Sequence, residues 1–168
     1  YEIIINPKMA FGTGHHETTR LMMEQMFKLD FSGREVLDMG TGTGVLAVLS
    51  KMLGASGVLA IDVEEWAYRN AMENVRINKQ PDIEVKQGDS SAIPNKFYDV
   101  VLANINFSVI TSDIALYAKT LKSGGFMLLS GFYATSVDEL EPLLHKNKLQ
   151  IKQMRELNNW VVVVCTKS

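Results

Sequence analysis

The residues best suited to chemistry lie in the stretch Val36-Leu-Asp38-Met-Gly40-Thr-Gly42-Thr-Gly44-Val-Leu-Ala47. An apolar run delivers an acid and three alternating glycines, and a helical pattern follows at once. Glycines let the main chain turn sharply and let a ligand approach without Cβ clashes. N–H groups exposed at such a turn suit a carboxylate, and Asp38 is placed to meet an ammonium, directly or through water. Twenty-two residues after Gly40, a second apolar run ends at Asp62. An acid at that spacing, at the carboxyl edge of a parallel sheet, accepts hydrogen bonds from both ribose hydroxyls. Asp89 follows a third run and is a weaker candidate near a base, equally readable as a turn aspartate.

A methionine-type cofactor, S-adenosylmethionine, presents such an amino-acid end and a ribose and is the ligand expected here. The rival is a dinucleotide, whose fingerprint is G-x-G-x-x-G. Counted from Gly40, its third glycine falls on Val45; counted from Gly42, it falls on Ala47, a match only to the looser form. A fourth apolar run, Asp99-Val-Val-Leu-Ala-Asn104-Ile-Asn106, supplies the remaining group. Methyl transfer requires a neutral nucleophile held in line more than it requires an acid. The Asn104 amide oxygen can accept an amine N–H and so aim the nitrogen lone pair. The bland alternative is that Asn104 closes a turn.

The elements that must position these residues alternate. Helical periodicity runs from Thr18 to about Lys28, with Leu21, Met22, Met26 and Leu29 on one face. Strands are predicted at Glu35–Met39, Val58–Ile61, Ile83–Lys86, Tyr98–Ala103 and Phe126–Ser130. Helices are predicted at 45–53, 64–77, 109–121 and 137–144, the last opening on Ser136 as cap with Glu139 three residues on. Leu149–Met154 and Trp160–Thr166 flank Asn158-Asn159, whose turn chemistry predicts a hairpin. Five alternating strands and a terminal antiparallel pair make an α/β fold. The expectation is a Rossmann-like, seven-stranded methyltransferase sheet of order 3-2-1-4-5-7-6, one domain over residues 1–168.

Composition narrows the function classes. The hydrophobic share of 46% and charged share of 21% are those of a globular protein with its own core. A net charge of −2 supplies no basic field for a phosphate backbone, so direct nucleic-acid binding is not expected. With one cysteine, Cys165, no internal disulfide forms, and no Cys/His cluster has metal-ligand spacing. This fits a reducing compartment, and a cytoplasmic location is expected. No segment reaches the roughly 20 apolar residues of a membrane span. The chain does not open on methionine and reads as a fragment.

The stretch Asn6-Pro-Lys-Met-Ala-Phe11-Gly-Thr-Gly-His-His16-Glu-Thr-Thr19 resembles the signature preceding the glycine loop in bacterial ribosomal-protein methyltransferases of the PrmA type. The similarity continues through Asp38 to Gly44, Asp62, Asn104-Ile105 and Lys122-Ser-Gly-Gly125. Members of that family methylate lysine side chains and the N-terminal amine of the eleventh large-subunit ribosomal protein. The resemblance implies contacts to S-adenosylmethionine from Thr19, Gly40, Asp62 and Asn104, and a Phe11–His16 loop covering the site. It also implies that the ribosomal partner is recognised through a separate N-terminal domain absent from this chain. Two departures lie near the acceptor. The family has Thr-His-Pro where this chain has His15-His16-Glu17, and Asn-Ile-Leu where it has Asn104-Ile-Asn106.

A lysine acceptor must be deprotonated, which costs about 4 kcal/mol at neutral pH for an ordinary amine. Desolvation lowers that cost, and His16 is a candidate proton acceptor. Phe107 and Phe132-Tyr133 follow strand ends and are placed either in the core or along the acceptor channel. Two rivals stand beside the ribosomal reading. One is a methyltransferase for another protein, nucleobase or small-molecule amine; the other is a non-catalytic cofactor-binding module.

Overall fold

The computed structural model of the chain describes residues 1–6 and 15–168. Seven strands form one sheet: β1 (Glu35–Met39), β2 (Gly57–Asp62), β3 (Ile83–Gln87), β4 (Tyr98–Asn104), β5 (Leu121–Tyr133), β6 (Leu149–Leu157) and β7 (Trp160–Lys167). Their spatial order is β3-β2-β1-β4-β5-β7-β6, as the alternation of strand and helix signals predicts. The first five run parallel, and β7 is antiparallel to both β5 and β6. The helices are α1 (His15–Met26), α2 (Val45–Met52), α3 (Glu65–Ile77), α4 (Phe107–Thr120) and α5 (Val137–Lys146).

Central parallel strands are covered on both faces and therefore carry near-continuous apolar runs. Alternate residues serve opposite faces. Val36, Val100, Leu102 and Leu128 pack with α1 and α2 residues such as Met22 and Leu49. Leu37, Val101, Ala103 and Leu129 pack with Ile110 and Tyr117 of α4 and Leu140 of α5. Such a layered core forces β1 and β4 side by side. From that pair the chain winds outward in both directions. The crevice at their carboxyl ends is where a doubly wound sheet binds its ligand.

Two expectations need correction. β5 is longer than the predicted Phe126–Ser130. Tyr98 pairs with Leu121 and Val100 with Phe126, so Lys122–Gly125 bulges out of the ladder instead of ending it. Gly124, at φ +75°, absorbs the bend. Ser136 does not cap α5. It closes a 3₁₀ turn (Ala134–Ser136) with helical φ −87° and ψ −5°, and its side chain makes no capping bond. A capping serine needs extended backbone, which that turn denies it. The Asn158-Asn159 turn is as expected, both residues at positive φ (50° and 69°) between Leu157 and Trp160.

Candidate active site

The glycine loop leaves β1 at Gly40 and enters α2 at Gly44. All three glycines have positive φ: 66° at Gly40, 58° at Gly42 and 81° at Gly44. Thr41 N–H donates to Ile61 O (3.0 Å) and Gly44 N–H to Thr41 O (2.9 Å), curling the loop back over the sheet. Among the described residues, no atom beyond the chain neighbours lies within 4 Å of the position a Cβ on Gly42 would take, so none of them blocks a ligand on that side of the loop.

Asp62 ends β2 as expected, 9% exposed. Its Oδ2 accepts from Gly42 N–H (2.8 Å) and its Oδ1 from Glu64 N–H (3.0 Å). Each carboxylate oxygen keeps a further lone pair. The acid is therefore oriented and still able to accept. Asp89 has a local task. Its Oδ1 accepts from Ser91 N–H (2.9 Å) and Ser91 Oγ–H (2.6 Å), capping the 3₁₀ turn Ser90–Ala92 and holding its carboxyl below the usual range.

Asp38 lies beneath the loop, 1% exposed. Thr41 Oγ1–H donates to its Oδ2 at 2.6 Å, and the Ala47 backbone adds a further hydrogen bond. Gly44 has no side chain to cap α2, so Asp38 satisfies a free N–H of its first turn from the strand below. Any effect on a bound ammonium passes through this framework. Desolvation, reinforced by the charge of Asp62, pushes the Asp38 carboxyl up to about 7 against the two hydrogen bonds. A raised acid makes the folded state bind protons that the unfolded chain has released, so stability falls as pH rises from about 4 to 7. We expect the ligand-free protein to lose on the order of a few kcal/mol over that window. Asp38→Asn should remove most of this loss in urea titrations at pH 5 and 7.5. An unchanged pH dependence would show Asp38 ionised throughout.

Beside the loop, β4 ends at Asn104. Its Nδ2 donates to Thr19 Oγ1 of α1 at 3.3 Å, joining two sequence-predicted site residues 85 positions apart. Its Oδ1 is buried with no partner among the described residues. Leaving a buried acceptor unpaired costs about 1–3 kcal/mol, a penalty a ligand N–H would remove. Ile105, the next residue, is wedged between two glycines that the sequence reading did not connect. A Cβ on Gly40 would overlap Ile105 Cγ2, and one on Gly131, at φ +97°, would overlap the Ile105 carbonyl. Ile105 N–H also donates to Ser130 O at 3.0 Å.

The remaining sequence candidates divide. Phe132 is core, 3% exposed, with its ring 5.4 Å from that of Phe107. Tyr133 is half exposed and stacks on Trp160 at 4.2 Å. Together with Glu156 and Asn159 it borders an open groove at the carboxyl end of β5. Cys165 is buried, its thiol pushed up to about 12 by desolvation, and is inert. The Phe11–Gly14 part of the covering loop and the side chains of His15 and His16 lie outside the described residues. No group of three or more potential metal ligands occurs among the described residues, and no helix there is long and apolar enough to cross a membrane.

A second feature escaped the sequence reading. Asn70 and Asn74 of α3 and Asn78 at its C-cap follow one another at the i, i+4, i+8 spacing and clamp the main chain of residues 4–6. Ile4 N–H donates to Asn78 Oδ1 (2.9 Å), and Asn78 Nδ2 donates to Ile4 O (2.7 Å). Asn6 N–H donates to Asn74 Oδ1 (2.9 Å), and Asn70 Nδ2 donates to Asn6 O (2.7 Å). Three asparagines at that spacing are a readable signal, since asparagine disfavours helix interiors. Their partners, 64 to 74 residues away, are not readable in the same way.

Comparisons with known proteins agree with this arrangement. A family model described as "Ribosomal protein L11 methyltransferase (PrmA)" matches residues 1–168. A curated ribosomal protein L11 methyltransferase from Porphyromonas gingivalis is 45% identical over 163 residues, covering 96% of this chain and 56% of the relative. The chain thus spans a little over half the length of the curated relatives it matches. The crystal structure of a ribosomal protein L11 methylase from Lactobacillus delbrueckii subsp. bulgaricus superposes with a TM-score of 0.90 at 28% identity, covering 98% of this chain and 84% of that one. Magnesium protoporphyrin IX methyltransferase from Synechocystis, solved with bound SAM, shares the fold at a TM-score of 0.76 and 16% identity, over 92% of this chain and 80% of that one. A match along its whole length, on a sheet of this order, places the chain in the ribosomal protein L11 methyltransferase family.

Proposed function

We propose that the chain is the catalytic domain of an S-adenosylmethionine-dependent N-methyltransferase acting on lysine or N-terminal amines of that ribosomal protein. The observation that carries this reading is the unpartnered, buried Asn104 Oδ1 beside an open glycine loop and an oriented Asp62. When bound, the cofactor supplies an electrophilic methyl on a positively charged sulfur. The amino-acid end lies along the glycine loop, whose Gly42 N–H is already given to Asp62, and Asp62 accepts from the ribose hydroxyls with its remaining lone pairs. Removing one or two such charge-assisted bonds, Asp62→Ala should weaken cofactor binding roughly ten- to a hundredfold by calorimetry. Unchanged affinity would take Asp62 off the ribose.

On the acceptor side, Thr19 orients the Asn104 amide so that Oδ1 accepts an amine N–H and turns the lone pair toward the methyl. Desolvation of the acceptor on binding favours the neutral amine. His16 is the chain's candidate for taking up the released proton. The N-terminal domain implied by the family supplies recognition of the ribosomal partner.

The test is mass spectrometry of purified ribosomal protein after incubation with S-adenosylmethionine and either this chain or one extended by the family's N-terminal domain. Methyl increments with the extended protein support the assignment. No increment with either, while the cofactor binds, would overturn it and direct the search to other amines.

A further inference from the structure

The asparagine clamp on α3 does more than hold the chain's first residues. The middle rung, Asn74, is fully buried, and its amide faces two ways. Oδ1 accepts from Asn6 N–H at 2.9 Å, while Nδ2 donates to the carbonyl of Thr43, between Gly42 and Gly44, at 2.9 Å. The neighbouring turn of α3 presses on the same loop. A Cβ on Gly44 would lie 3.3 Å from Ala71 Cα and Cβ, so the loop rests against the helix with almost no spare room. The loop is thus held at two points, Thr43 O by Asn74 and Gly42 N–H by Asp62.

A carbonyl and the following N–H belong to one rigid peptide plane. Holding Thr43 O therefore also steadies the Gly44 N–H in its bond to Thr41 O, and the Asp62 bond fixes the direction of the Gly42 N–H. We infer that Asn74 is a positioning residue for the cofactor: by holding the Thr43 carbonyl it sets the glycine-loop peptide planes in their binding geometry. The inference rests on the reading that this loop binds S-adenosylmethionine.

Asn78 offers a control: its amide holds Ile4 in the same way and also donates to Asn74 O (2.8 Å), with no hydrogen bond to the glycine loop among the described residues. Asn74→Asp keeps an acceptor for Asn6 N–H and sets an oxygen against Thr43 O; Asn74→Ala removes both bonds. Calorimetry with S-adenosylhomocysteine and thermal melting should be read together on wild type, both Asn74 variants and Asn78→Ala. The expected result is a dissociation constant raised about tenfold in Asn74→Ala and further in Asn74→Asp. Asn78→Ala should bind within twofold of wild type despite a similar loss of melting temperature. In turnover assays, KM for S-adenosylmethionine should rise while kcat at saturation is largely kept.

Folded Asn74 variants that bind like wild type would overturn the inference. So would an equal affinity loss in Asn78→Ala, or failure of both Asn74 variants to fold, since the amide would then serve only the fold. A wild-type protein that binds no S-adenosylhomocysteine would instead sink the cofactor reading on which it rests.

Discussion

Asn104→Ala should lower kcat by about a hundredfold or more while leaving cofactor affinity within a few-fold of wild type. The side chain is held at the end of β4 by Thr19, its Oδ1 has no partner among the described residues, and in the proposed function that oxygen is the acceptor that aims the nucleophile. Misplacing a reacting group by about 1 Å is enough for a loss of that size. The glycine loop is not hydrogen-bonded to this amide, since its own bonds run to Ile61, Asp62, Thr41 and Asn74. Single-turnover methylation with saturating cofactor, paired with calorimetry, separates the two effects. Asn104→Asp should be impaired as well, since a carboxylate loses the donor that Thr19 receives. A kcat within threefold of wild type in Asn104→Ala would leave Asn104 as no more than a turn residue.

Gly131→Ala should be still more damaging, and in a different way. Its φ of +97° already disfavours any side chain, and the added methyl would overlap the Ile105 carbonyl. Relief requires Ile105 to move. Ile105 is hydrogen-bonded to Ser130 and continuous with Asn104, so the acceptor oxygen moves with it. Cofactor binding should weaken too, because the Ile105 side chain packs on Gly40 at the mouth of the glycine loop. We expect turnover to fall more than a hundredfold and the melting temperature to drop by several degrees, a loss of about 1–3 kcal/mol for overpacking at a closed contact. Near-normal turnover in the variant would mean the wedge has slack that the geometry does not show.

These two sites differ in how far the sequence announced them. The glycine loop is a local event: three positive-φ turns over five residues need glycine at each, so composition and spacing reveal it directly. Asp62 and Asn104 were legible because an apolar run stops on them, and a strand of a doubly wound sheet stops at the ligand edge. Gly131 was not, since the predicted strand closed at Ser130 and nothing nearby signals that Ile105 lies against it. Asp38 was placed in the chain as the structure has it, but its burial was not foreseen. Its burial depends on Thr41 folding back over it, a contact that spacing alone does not specify. The asparagine clamp was missed for a related reason: a helix face displays its polar residues, but the strand-like segment they grip comes from the far end of the chain.

The wedge around Ile105 also bears on how the protein reaches its native state. Gly40 follows β1, Ile105 follows β4 and Gly131 lies in β5, three neighbouring strands gathered from distant parts of the chain. Pairing β1 with β4 seats Ile105 on Gly40, and pairing β4 with β5 seats it on Gly131, so the interlock is complete only when all three are in register. An intermediate that has paired only two of these strands should hold Ile105 from one side alone and bind the cofactor less tightly than the native protein.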